Sequence, residues 1–134
     1  MTLTFVEIIS FTESVRDYFT NDIEFALFQE FLLKNPERGD LIPGGGGLRK
    51  TRWRDLRRGK GARGGLRIIY LYLPDVHRIL LLDVYDKDEA TDLSNTEKRI
   101  LAKLAQSYRE DVARTLKSKG NVSWKPNDPN SLND

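Results

Sequence analysis

The 134-residue sequence contains no cysteine, one histidine and one methionine. Without cysteine there is no disulfide, no thiol nucleophile and no zinc–thiolate site. With His77 as the sole imidazole, neither a multi-histidine metal centre nor a two-histidine nuclease can be assembled. No apolar run approaches the roughly 18 residues that a membrane helix needs. The opening MTLTFVEII lacks the charged n-region and small-residue cleavage site of a signal peptide. These absences predict a cytoplasmic protein with no membrane partner. Nucleotide and hydrolase signatures are missing as well, with no Walker loop, G-x-S-x-G or H-E-x-x-H.

What is there is an ordinary globular composition, 39% hydrophobic and 31% charged, at the length of one domain with one core. The domain is expected over residues 1–117. Residues 118–134 are rich in Asn, Pro, Ser and Asp and read as a flexible tail, with Trp124 as its one docking residue.

The net charge of +2 conceals a strong polarisation. Residues 48–67 (LRKTRWRDLRRGKGARGGLR) hold nine Lys/Arg and one Asp, leaving 13 basic and 19 acidic side chains in the rest of the chain. Such a concentration is the footprint of a polyanion site, most often nucleic acid, because each cation that meets a phosphate releases condensed counterions. The alternative is a solvated basic loop.

Along the chain, residues 3–9 read as a strand, and Ser10 to Phe19 as a helix opened by Ser10 or Thr12. Asn21 with Glu24 has capping-box character, and Ile23, Leu27, Phe28, Phe31 and Leu32 recur at helical spacing until Asn35-Pro36. Residues 36–47 form a loop whose four glycines, Gly44 to Gly47, are flexible or admit a phosphate backbone next to Arg49 and Lys50. A strand from Leu48 to about Arg54 places Lys50, Arg52 and Arg54 on one face, and Arg49, Thr51 and Trp53 on the other. After a glycine-containing turn come two apolar strands, LRIIYLYL and HRILLLDVY, separated by Pro74-Asp75. Their unbroken apolar runs predict a sheet covered by helices on one face and partly covered on the other. Ser94 with Glu97 is a second capping box, opening a helix with an apolar stripe at Ile100, Leu101, Leu104, Ala105, Tyr108 and Val112. The fold class is α+β.

The carboxylates Asp83, Asp86, Asp88, Glu89 and Asp92 cluster near a strand end, which is a magnesium site or, more simply, a polar connection. His77 beside a turn reads as a surface residue rather than a base. Chemistry by lysine and arginine remains. RNA is its natural substrate, because RNA carries its own nucleophile, the 2′-hydroxyl. Arginine clamps phosphate through bidentate hydrogen bonds, and a lysine crowded by arginines is suited to proton transfer. A surface that only binds RNA would use the same residue types.

Three stretches, FQEFLLKNPERGDLIPGGGGLRKTRW, GKGARGGLRIIYLYL and LLLDVYDKDEATDLS, together resemble the RelE/HigB-type toxins of bacterial type II toxin–antitoxin modules, over roughly residues 3–110. The most specific parts are the N-P-x-x-G-D-x-I-P-G loop, the GLRK and GGLRIIY strands, and the string from Tyr85 through Lys87, Glu89 and Asp92 to Leu93. The resemblance implies N-terminal helices packed on a small antiparallel sheet, with a C-terminal helix. It also implies a ribosome-dependent messenger RNA endonuclease that works in the decoding A site, without metal or cofactor, by attack of the 2′-hydroxyl on the adjacent phosphate. Carried over by matching position, the catalytic residues are Arg67 first, then Lys50, Arg52 and Lys87. Arg49, Arg54, Lys60 and Arg63 are implied to grip the RNA backbone, with Trp53 either stacking on a base or buried in the core. The implied partners are a cognate HigA/RelB-type antitoxin and, through it alone, operator DNA.

Two positions depart from the pattern: Leu93 stands where some members have a tyrosine, and Ala62 where a GKGKRGG-like turn has lysine. Two other functions compatible with the sequence are a ParE-like gyrase poison on the same scaffold and a non-catalytic RNA-binding module.

Overall fold

The structure is a computed structural model that describes residues 3–90 and 92–118. The expected tail and Trp124 therefore fall outside the described residues. The first strand, β1 (Thr4–Glu7), is shorter than the sequence pattern predicts, because the helix α1 (Ile9–Tyr18) starts where strand pairing ends. The Ile8 N–H still donates to Leu81 on the neighbouring strand, while the Ile8 carbonyl already accepts from Thr12 in the first helical turn. Neither expected cap is used. Ser10 and Thr12 lie inside the helix, and the Thr12 hydroxyl donates to Glu7 Oε1 at 2.8 Å.

The second helix, α2 (Asp22–Lys34), begins as predicted, with Asn21 Oδ1 accepting from the Glu24 N–H at 2.8 Å. Its inner face keeps only part of the expected stripe. Phe28 and Leu32 are buried together with Glu24, whereas Ile23 and Leu27 are 74% and 40% exposed. Apolar residues surround this helix, so helical spacing alone leaves its rotation open. The Glu24 carboxylate settles it by accepting from Trp53 and Arg54 on the far side of the sequence.

A five-stranded sheet runs in the order β1-β5-β4-β3-β2. The expected meander is present as β3 (Arg49–Trp53), β4 (Leu66–Leu73) and β5 (Arg78–Asp86), each antiparallel to the next. A two-residue strand, β2 (Asp40–Leu41), pairs with the edge of β3 inside the segment read as loop. The sheet is mixed rather than purely antiparallel, because β1 runs parallel to β5. The crossover through α1, α2 and the meander makes that direction possible.

The sheet also divides the interior, so there are two apolar clusters rather than one core. Phe11, Phe19, Phe28, Leu32, Ile68, Tyr70, Ile79 and Leu81 gather on the α1–α2 face. Leu48, Ile69, Leu71, Leu80 and Leu82 face the long helix α3 (Asn95–Ser118), which contributes Leu101 and Ala105. The predicted capping box opens α3: the Glu97 N–H donates to Ser94 Oγ at 3.1 Å, and the Ser94 N–H donates to Glu97 Oε1 at 3.0 Å. Ile100 and Leu104, expected in its stripe, are 54% and 41% exposed, and the buried positions continue instead through Arg109 to Val112. No helix among the described residues is long and apolar enough to cross a membrane.

The alternation of β5 is broken at one point. The β4–β5 register shifts at Ile69/Tyr70, so that Tyr70 pairs with Leu81 but Ile69 pairs with Asp83. Leu82 is the extra residue. Strict alternation from Ile79 and Leu81 would send Asp83 and Tyr85 to the α1–α2 face; the bulge turns both toward α3.

Candidate functional site

Most of the basic segment is spoken for by partners inside the protein. Arg49 donates to the carbonyls of Glu37 and Gly39 at 2.9 and 2.8 Å and so holds the preceding loop. Lys50 Nζ lies 3.2 Å from Asp92 Oδ1. Arg54 follows the end of β3 and turns away from Lys50 and Arg52, forking onto Glu24 at 2.8 and 3.0 Å. The expected line of three cations on one face therefore has two members. Trp53 is a packing residue: its ring meets Phe28 edge-on at 5.5 Å and Phe31 at 5.0 Å, and its indole N–H donates to Glu24 at 3.0 Å.

Arg57 and Arg58 converge on Asp55, a fully buried carboxylate at 0% exposure. Burial pulls the Asp55 pKa upward, but the hydrogen bonds from Arg57 and then Arg58 outweigh it and hold the carboxyl below its ordinary value. Arg57 also reaches Asp86 at 3.0 Å, and Arg58 reaches Asp88 at 2.7 Å. These ion pairs brace the turn between β3 and β4, together with the mutual backbone bonds of Asp55 and Lys60. They also engage two of the carboxylates weighed as a magnesium site. Among the described residues no three His, Asp or Glu side chains stand together as metal ligands would.

Arg67 is 5% exposed, and its guanidinium donates to three backbone carbonyls, those of Ala62, Leu66 and Arg63, at 3.1, 3.2 and 2.7 Å. Burial, followed by the neighbouring Arg52, lowers its pKa. In this position Arg67 is the post on which the 62–64 turn hangs. Around that turn stand the remaining cations, Arg52, Lys60, Arg63 and Lys87, all exposed and with no side-chain hydrogen bond or ion pair among the described residues. Arg52 pairs with Arg67 in the β3–β4 register. The Lys87 N–H donates to the Gly65 carbonyl at 3.1 Å. Gly65 itself is required there, since a Cβ would collide with the Trp53 carbonyl oxygen and lie 2.7 Å from that of Gly61.

Sequence reasoning assigned Tyr85 no role and weighed Asp83 only within a carboxylate cluster, yet both stand on the α3 side of this site. Tyr85 pairs with Arg67 across β4–β5, is 7% exposed, and its hydroxyl is buried without a partner among the described residues. Burial first, then the negative charge of Asp92, pushes its pKa up to about 12 despite Arg67. Asp83 is pushed up to about 6 by burial, with Glu97 and Glu89 adding to the effect against the opposing Val84 N–H. A strand reading without the bulge puts both on the wrong face. The only available signal was Asp83 itself, a charge inside an otherwise apolar run.

Two other expectations do not meet at this site. The glycine loop packs against α3 rather than opening to a phosphate: the Gly46 carbonyl accepts from the buried Arg109 at 2.5 Å, and Gly47 lies against Leu71, toward the far end of β4. Gly44, Gly46 and Gly47 carry φ of 71°, 65° and 99°, which explains the run of glycines conformationally. His77, left-handed at φ 52°, closes the β4–β5 hairpin at the opposite end of the strands from Arg67.

No family model matches the chain.

Proposed function

We propose that this chain is the toxin of a bacterial type II toxin–antitoxin pair with a RelE-like fold, and that it cleaves messenger RNA in the ribosomal A site without metal. The observation that carries the reading is the ring of unengaged cations, Arg52, Lys60, Arg63 and Lys87, set around the 62–65 turn within the motifs that resemble that family. In the reaction, the 2′-oxygen bonds to the adjacent phosphorus as the bond to the 5′-oxygen breaks. The 2′-hydroxyl gives up its proton and the departing oxygen takes one. Arg52 and Arg63 have forked donors to meet the phosphate and its developing charge. Lys87 supplies an amine beside the turn, and Lys50 joins it once its pair with Asp92 is exchanged for phosphate. Arg67 supports the turn from beneath. A cognate HigA/RelB-type antitoxin would restrain the toxin by covering these cations, and operator DNA would be met only through that antitoxin.

A second reading, a non-catalytic RNA-binding module, gains support from the engagement of Arg67 and Lys50 with the protein's own carbonyls and carboxylate. The discriminating experiment is 5′-end mapping of a defined messenger RNA with and without programmed ribosomes, using wild type, Arg52→Ala and Lys87→Ala. The toxin reading expects discrete cuts with ribosomes, weakened at least about tenfold in each variant with melting temperature unchanged. A binder would show no cuts but an affinity for single-stranded RNA that falls with salt at a log–log slope of about −3 for four phosphate contacts. If neither cuts nor binding are found, the RNA readings fail and gyrase inhibition becomes the function to assay.

A further inference from the structure

Arg52, Arg67 and Tyr85 occupy one row across three strands, paired in register, and the bulge at Leu82–Asp83 is what brings Tyr85 to the same face as the two arginines. The phenol is an anomaly in this row. Its ring belongs to the apolar cluster beneath α3, yet its hydroxyl has no hydrogen-bond partner among the described residues. Phenylalanine would fill that place without leaving a buried donor unpaired, so packing does not explain the hydroxyl.

Resting on the ribonuclease reading, we propose that the Tyr85 hydroxyl donates a hydrogen bond to the scissile RNA phosphate held by Arg52 at the edge of this row, once the connection bearing Asp92 moves off it. Leu93 and Ala90, on either side of Asp92 in the chain, pack in the same cluster as Tyr85. Asp92 is the strongest of the charges acting on the phenol. That connection is tied to the sheet through Lys50–Asp92, an ion pair whose aspartate is 54% exposed and therefore weakly held. A phosphate arriving at Lys50 and Arg52 competes with Asp92 for the same ammonium group. Displacing Asp92 also removes the negative charge that would repel the phosphate from the phenol. With its pKa pushed up to about 12, the phenol keeps its proton throughout, so it acts as a fixed donor and not as an acid or base.

Tyr85→Phe tests this. Wild type and variant are compared for single-turnover cleavage on programmed ribosomes, for the substrate concentration giving half-maximal rate, and for thermal melting. The expected result is a maximal rate at least about tenfold lower, a half-saturating concentration within about twofold of wild type, and a melting temperature equal to or above wild type. A rate within about twofold of wild type overturns the proposal while leaving the ribonuclease reading in place. A slower rate accompanied by a lower melting temperature also overturns it, because the hydroxyl would then be structural. If wild type itself cuts nothing, the ribonuclease reading fails and this inference falls with it.

Discussion

Replacing Asp83 with asparagine removes a carboxylate that the β5 bulge forces beneath α3, and the consequence depends on pH in a defined direction. Burial, with Glu97 and Glu89, raises the folded-state pKa from 3.8 to about 6. An acid whose pKa is raised by folding binds its proton more tightly in the native state. Its cost is therefore fully present above the folded pKa and disappears as pH falls from about 6 toward 3.8. A difference of about 2 units corresponds to about 3 kcal/mol at most. Asp83 is only partly buried, and solvent screening reduces this to about 1.5 kcal/mol. The bond from the Val84 N–H to Oδ1 survives in asparagine, so the substitution isolates the charge. Asp83→Asn should then raise the melting temperature by about 5 °C at pH 8. Little or no gain should remain at pH 4. Scanning calorimetry of both proteins at the two pH values decides the matter, and an equal gain at pH 4 and 8, or a loss at pH 8, refutes the reasoning.

Asp55→Ala strips the buried carboxylate from between Arg57 and Arg58 and should destabilise by about 3 kcal/mol, read from urea unfolding. The same logic sets the acid limb of stability. The pKa values of Asp55, Asp86, Glu24 and Asp92 are all lowered by folding, so their contribution is present above the ordinary carboxylate range and is lost as pH falls through it. Unfolding monitored by far-UV circular dichroism should accordingly set in below about pH 4. Gly65→Ala should cost about 2 kcal/mol or more, because backbone carbonyls rather than flexible side chains meet the added methyl. Arg67→Ala should also lower the melting temperature, since three carbonyls lose their donor; a variant that melts like wild type would contradict the supporting role.

Much of the fold was legible in the sequence where the cause is local. Asn21 with Glu24 and Ser94 with Glu97 cap their helices because the bonded atoms are three residues apart. Helical spacing failed at Ile23, Leu27, Ile100 and Leu104 because flanking positions were equally apolar, and the choice of inner face fell to distant partners such as Trp53 and Arg54. The parallel pairing of β1 with β5 joins residues more than seventy positions apart, which no local pattern encodes.

The sequence by itself determined that the basic charge is concentrated in residues 48–67, that two apolar strands follow, and that cysteine chemistry and multi-histidine sites are excluded. Only the tertiary structure decided which of those cations are left for a partner. Their counter-charges lie about thirty to forty residues away, Glu24 for Arg54, Asp88 for Arg58 and Asp92 for Lys50, so composition registers a nine-cation segment while the fold leaves Arg52, Lys60 and Arg63 unengaged and adds Lys87. The bulge likewise decided the face on which Asp83 and Tyr85 stand, because a single extra residue reverses a period of two.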